Sequence, residues 1–510
     1  MYFASFARAA KPWLLSAILC AAPGAGTALA DDPGSPADFA QRLRPRVLAD
    51  GEDIRETLEA RMTHYGVPGV AVAIIEDGQI VFVSGFGMQQ AGGDIPVDAD
   101  TVFSAGSVSK IATAALVLRL AADGRLDLDG NVFDAVTSWS LPEADGFAGT
   151  PVTLRMILSH TAGFNLHGFA DFQPGTDLPT VIDTLNGTPP ASGDALEIMF
   201  QPGTRYAYSG GGYTLAQLLV SDVMDAGFAE VARDTLFEPL GLTRSTFENP
   251  LPEDHGNIAR AHDADGQPAA LPRGYESMPE MAASGLWTSA RDLGRLTAAL
   301  IESYRTQEGF LPQDLAIEMM TPVAPSEHGL GPRLAGYGAD YIFHHGGSNE
   351  SYQTWIEGHL ATGDGLVVLT NGAGGRELYT EIRNAVADTM DWSINAVVRA
   401  PEVTLPDAAR AAYVGVYSVD PDFPLDLRRQ MTGFEFDLEV RSGEDGGLSI
   451  GRAGGDRFDT LLPLTPNRFL MPGFAQPIGT AEVEFHRNAL GETKGMTLHL
   501  ANAQSHYLRR

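Results

Sequence analysis

Apolar and polar positions change rhythm several times along this chain. From Val70 to Gly87, VAVAIIEDGQIVFVSGFG, two apolar runs flank Asp77-Gly78, and Asp-Gly between β-type runs predicts a hairpin. After Ser107 the period lengthens. Ile111, Ala115 and Leu118 recur at helical spacing and the pattern stops at Gly124, which predicts a helix with a glycine stop. Ser289 with Asp292 three residues on is close to a capping box and predicts a second helix through LGRLTAALIESY. YIFHHGG, SYQTWIEGHL and GLVVLTNG are short, β-branched or aromatic, and broken by glycine, so they predict strands; RELYTEIRNAVADTMDW predicts an amphipathic helix behind them.

Strand signals at both ends of residues 53–395 with helices between them predict an α+β body. Its antiparallel sheet is assembled from distant pieces of chain and flanked by helices, with a helical insertion beside it. Around Pro401 the texture changes. After a linker over 396–404, residues 405–510 hold only short strand-like pieces, YVGVY, FEFDLEV, GLSIG and AEVEFHR, which predict a small C-terminal all-β, barrel-like domain.

Arg8, Lys11, an apolar run and Ala28-Leu29-Ala30 make residues 1–30 read as a secretory signal peptide cut before Asp31, with 31–52 as a lead-in. That predicts a periplasmic or secreted protein. The sole cysteine, Cys20, lies within this leader behind Leu19, where the absence of a small residue argues against lipid attachment. The processed chain then has no disulfide, thiol nucleophile or cysteine metal site. No later run reaches the length of a membrane span, so no membrane anchor is expected once the leader is removed. A formal charge of −31 repels nucleic acid and anionic membrane and favours solubility. No H-E-x-x-H and no G-x-x-x-x-G-K-[ST] occurs, which leaves metal hydrolysis and nucleotide chemistry without support; no metal and no cofactor is expected. Oligomeric state is not legible.

Lysine is the informative residue. The chain has three, at Lys11, Lys110 and Lys494, and otherwise uses arginine. Lys110 follows Ser107 by three positions at a helix start, which puts amine and hydroxyl on one face. Ser-x-x-Lys alone is commonly a capping serine beside a solvated lysine, but a solvent-facing position here would ordinarily carry arginine. Buried, the amine loses its hydration, its pKa falls, and the neutral form can take the serine proton. The helix start adds amide N–H groups for an oxyanion. QPGTRYAYSGGGYTLAQLL, Gln201 to Leu219, offers a tyrosine whose pKa is expected to be lowered by nearby cations for proton relay. FHHGGSNESYQTW places His345-Gly346-Gly347 at a strand start, where glycine backbone can pair with an extended substrate. His344 and His345 must point to opposite sides of that strand. His160, in LSHTAGF, reads as a buried structural histidine. Gly447-Leu448-Ser449-Ile450-Gly451 matches the G-x-S-x-G elbow but has no helix after it, so that reading is set aside.

In order, these three segments resemble the Ser-x-x-Lys, Tyr-x-Asn and Lys/His-x-Gly motifs of the serine β-lactamase and penicillin-binding-protein superfamily. The resemblance is closest to its class C β-lactamase and esterase branch. HYGVPGVAVAII, ADGRLDLDGNV, TLRMILSHTAGF, FEPLGLTRSTF and MAASGLWTSARDL resemble it as well, and the appended β domain is similar to those on some members. The resemblance implies a β-lactamase/transpeptidase-like fold, with Ser107 as acylated nucleophile, Lys110 as its base and Tyr208 in proton transfer, Tyr206 being its neighbour and competitor. It further implies His345 in the place of the last motif's lysine or histidine, the backbone N–H groups of Ser107 and Ser348 as oxyanion hole, and Gly210, Gly346 and Gly347 against the substrate. Gly210 replaces the motif's asparagine, and an unperturbed histidine is mostly neutral above about pH 6.5; both departures rank esters first, then D-amino-acid peptides, then β-lactams. The same departures also fit a non-catalytic receptor that binds wall fragments.

Overall fold

The computed structural model describes residues 35–142, 147, 150–401, 403–423, 436–443, 446–473, 480–500 and 503–510; the expected signal peptide lies outside them. A six-stranded sheet organises the body. Its strands are β1 (Gly69–Glu76), β2 (Gln79–Gly87), β3 (Arg333–Ala335), β4 (Ile342–Ser348), β5 (Gln353–His359) and β6 (Gly365–Thr370), in the order β2-β1-β6-β5-β4-β3. Every neighbouring pair is antiparallel. At the β1–β2 turn both Asp77 (φ 46°) and Gly78 (φ 75°) have positive φ, as a two-residue hairpin turn twisted with its strands requires.

Helices cover both faces, so β1 is apolar throughout rather than alternating. Val70, Val72 and Ile74 join Leu366 and Val368 against Leu378, Ile382 and Val386 of α4 (Gly375–Thr389). Ala71, Ala73 and Ile75 point the other way, into the main core with Leu293, Leu296 and Leu300 of α3 (Ala290–Arg305). Two further helices fill that core, α1 (Ser109–Ala122) and α2 (Gly210–Met224). Ser289 caps α3 by accepting the Asp292 N–H. The second half of a capping box is absent, because the Asp292 carboxylate accepts from the Arg244 N–H (2.6 Å) and the Ser245 hydroxyl (3.1 Å) instead.

The lead-in is part of this body: Phe39 and Leu43 are fully buried, and the Arg44 guanidinium pairs with Asp388 at 2.7 Å. Val47–Ala49 runs parallel to Val398–Ala400, so the exit from the body lies beside the later part of the lead-in. The C-terminal region closes as an eight-stranded antiparallel barrel, β7 (Gly415–Val419) to β14 (Ala503–Arg509), with β7 and β14 sealing it. Its separate core contains Tyr413, Tyr417, Phe469, Phe485 and Tyr507. GLSIG lies in its strand Leu448–Arg452, consistent with a structural role for Ser449. One helix was not anticipated there. Asp407–Tyr413 precedes the first strand and stacks Tyr413 on Phe485 at 4.3 Å. Among the described residues no helix is long and apolar enough to cross a membrane.

Candidate active site

Ser107 sits in a 3-10 turn, Gly106–Val108, just ahead of α1 rather than in its first α-helical turn. Gly106 has φ +50°, and a Cβ there would lie 2.7 Å from the Ser348 nitrogen. On the facing strand a Cβ at Gly347 would lie 1.9 Å from the Ala105 carbonyl oxygen and 3.3 Å from the Ser107 nitrogen. Only paired glycines let β4 lie flat against the serine turn, and this close approach sets the Gly347–Ser348 backbone beside the turn that carries Ser107.

Lys110 points back along α1 at Ser107. Its Nζ lies 3.3 Å from Ser107 Oγ and donates to the Ala283 carbonyl at 2.7 Å. The side chain is 2% exposed, and burial, assisted by the positive charge of Arg333, lowers its pKa to about 7. The tyrosine ring faces of Tyr208 (4.9 Å) and Tyr213 (5.5 Å) flank the amine.

Tyr208, not Tyr206, reaches the serine. Its hydroxyl hydrogen-bonds to Ser107, whereas the Tyr206 hydroxyl donates to His328 Nε2 at 3.2 Å. The expected direction of the tyrosine shift is reversed: burial outweighs both the Ser107 hydrogen bond and Arg333, and raises Tyr208 to about 12. Tyr208 is therefore a protonated phenol at neutral pH. His160 is buried as expected, but it belongs to this site. It takes positive φ (59°), accepts the Ser209 N–H through Nδ1 at 3.0 Å, and stacks on Tyr208 with ring centroids 4.2 Å apart. It holds the tyrosine loop in place from beneath.

His344 and His345 divide as the strand geometry requires. His344 stacks on Trp355 at 5.2 Å, while His345 lies 6.2 Å from the Tyr208 ring. His345 Nδ1 donates to the Gly346 carbonyl at 2.7 Å, which leaves Nε2 as a buried acceptor with no hydrogen-bond partner. Burial, with Arg333 and Lys110 nearby, lowers its pKa to about 3. It is neutral at any working pH, so the lasting positive charge at the site belongs to Arg333 on β3. This guanidinium is one-third exposed, pairs with Glu327 and lies 5.7 Å from the Tyr208 ring. Nothing in GPRLAG marks that arginine in the sequence.

Gly210 opens α2 and donates its N–H to the His167 carbonyl at 3.1 Å. A Cβ on it would lie 2.8 Å from the Phe169 ring. Phe169, on the loop over residues 165–173, closes the space into which an asparagine side chain would project, so glycine here and phenylalanine there form one adaptation.

The sequence model of the Beta-lactamase family matches residues 54–390. Penicillin-binding protein 4 of Amycolatopsis lactamdurans is 28% identical over 376 residues, 69% of this chain and 92% of its own length. A beta-lactamase of Lysobacter lactamgenus is 29% identical over 262 residues, 51% of this chain and 63% of its own. The solved octameric penicillin-binding protein homologue from Pyrococcus abyssi has the same fold at 23% identity, with a TM-score of 0.56 over 89% of this chain and 99% of that one. The chain belongs to the Beta-lactamase family and is a serine hydrolase.

Proposed function

We propose that this protein is exported and hydrolyses small acyl compounds through an acyl-enzyme on Ser107, with esters ahead of D-amino-acid peptides and β-lactams. The observation that carries this reading is the buried Lys110 amine, 3.3 Å from Ser107 Oγ and brought to a pKa of about 7. Two titrating groups pushed apart in this way divide acid and base work. Neutral Lys110 takes the Ser107 proton as Oγ attacks the substrate carbonyl, and the N–H groups of Ser107 and Ser348 hold the resulting oxyanion. Tyr208, protonated and bonded to Ser107, passes a proton to the leaving group. Lys110 hands the serine proton on to Tyr208 and is neutral again, so in the second half it removes a proton from the attacking water and returns it to Ser107 Oγ as the bond between Oγ and the acyl carbon breaks.

Gly210 and Phe169 leave no side-chain amide to hold a substrate amide, which supports esters first. A receptor that turned nothing over would have no use for a neutral amine against its serine. Intact-protein mass after brief exposure to a short p-nitrophenyl ester and, separately, to a penicillin tests the reading. We expect a Ser107-dependent adduct or turnover with the ester, both lost in Ser107→Ala. Ester turnover that survives in Ser107→Ala refutes it.

A further inference from the structure

A second set of polar groups lies beyond the end of β4 and has no part in the steps above. Asp171, on the loop that carries Phe169, accepts the Glu350 N–H at 2.6 Å, two residues past Ser348. Phe172 and Ser277 form an isolated antiparallel bridge, which brings the neighbouring Glu276 within electrostatic reach of Asp171 and Glu350. Glu276 is 3% exposed and hydrogen-bonds to Ser351, yet its Oε2 has no partner. Glu280 is 1% exposed; its Oε1 accepts from the Thr184 hydroxyl at 3.2 Å and its Oε2 has no partner. It immediately precedes the short helix Met281–Ser284, whose Ala283 carbonyl holds Lys110.

Burial, reinforced by the neighbouring acids, raises Glu276 and Glu280 to about 7 and Asp171 to about 6. Among the described residues no arginine or lysine pairs with any of the three. Enclosing carboxylates without a cation costs several kcal/mol per ion, roughly, so such a set is a site candidate rather than scaffolding. The depth is graded: Glu350 is exposed, Asp171 partly buried, and the two glutamates enclosed. The described residues hold no group of three or more His, Cys, Asp or Glu arranged for a metal ion. An ammonium suits them instead, since its N–H donors match the two carboxylate oxygens that lack one, Glu276 Oε2 and Glu280 Oε2.

We infer that this acidic well receives a primary ammonium on the acyl portion of the substrate. The side follows from the site: Tyr208, which serves the leaving group, neighbours His345 upstream on β4, while the well lies downstream of Ser348. The inference takes Ser107 acylation as its starting point, but its test does not use turnover.

The test measures binding at pH 8 to the Ser107→Ala protein, by calorimetry. The probes are ω-amino amides with one, three or five methylenes between amine and carbonyl, each against the alkyl amide of equal length. At least one amine should bind about tenfold or more tightly than its neutral partner, and the advantage should fall below about threefold when Glu276→Gln and Glu280→Gln are added. Should that triple variant lose its native circular dichroism, Asp171→Asn on the rim replaces it, with the same direction expected. Equal binding of amine and alkyl probes at every length overturns the inference, as does a preference that survives these substitutions. Failure of the acyl-enzyme reading appears elsewhere, as ester turnover that does not need Ser107, and leaves this binding result to stand alone.

Discussion

The two faces of β4 and β5 carry two buried polar clusters built on opposite principles. Behind the sheet, Glu357 on β5 faces α4, where Arg383 pairs with it, Trp355 donates to it at 3.0 Å, and His359 approaches to 3.7 Å. Against the cost of its burial, these partners, Arg383 foremost, hold the Glu357 carboxyl at about 2. In front, Lys110 is buried equally well but has neutral partners, a carbonyl and a hydroxyl, and its pKa falls to about 7. Burial alone does not make chemistry. A buried charge that meets its opposite is fixed, whereas one left without a counter-charge can gain or lose a proton near neutral pH.

The sharpest way to break this contrast is to remove the front cluster's ability to change charge. Lys110→Arg should lower ester kcat/KM by about a thousandfold or more, because arginine does not become a neutral base; wild-type rates in stopped assays would remove Lys110 as the base. In the wild type, kcat/KM should rise about tenfold per pH unit below pH 7 and level off above it, since the base must be the neutral amine and Lys110 titrates at about 7. A flat profile from pH 5 to 9 contradicts that assignment. Tyr208→Phe should cost about a hundredfold with alkyl esters and much less with p-nitrophenyl esters, whose leaving group needs little protonation. The rear cluster should respond in stability instead. Glu357→Gln leaves Arg383 buried beside a neutral group and should lower unfolding free energy in urea by about 3 kcal/mol, with the pH profile of the folded enzyme unmoved. The smallest effect belongs to a positioning residue: His160→Asn keeps a side chain tolerant of positive φ but removes the ring beneath Tyr208. A loss of about tenfold in kcat is expected, with the limb near pH 7 in place; a displaced limb would mean that His160 itself takes part in proton transfer.

Much of the body was legible because its signals are local. The Asp77-Gly78 turn, the apolar runs of β1, β5 and β6 and the Ser289 cap each follow from a few adjacent residues. Lys110 stood out because lysine is scarce in this chain, and its lowered pKa followed from burial at a helix start. What escaped the sequence depends on distant segments meeting. The rise at Tyr208 is set by the neighbours that bury it, among them His160, and a list of nearby cations gave the wrong sign. Arg333 sits in a short edge strand with no motif. Asp171, Glu276 and Glu280 stand more than a hundred positions apart at their extremes, and Phe169 explains Gly210 only once the loop has folded over α2. The helix Asp407–Tyr413 was different: Pro406, Asp407 and four alanines within reach were readable, and the surrounding strand texture masked them.

The pairing of Val47–Ala49 with Val398–Ala400 has a consequence for how such chains are assembled. A unit whose exit strand is paired with its own lead-in has a defined end, and whatever follows it can be exchanged without threading through its core. The barrel is attached at this end. Residues 398–400 are thus the splice point at which another C-terminal module can be grafted in place of the barrel.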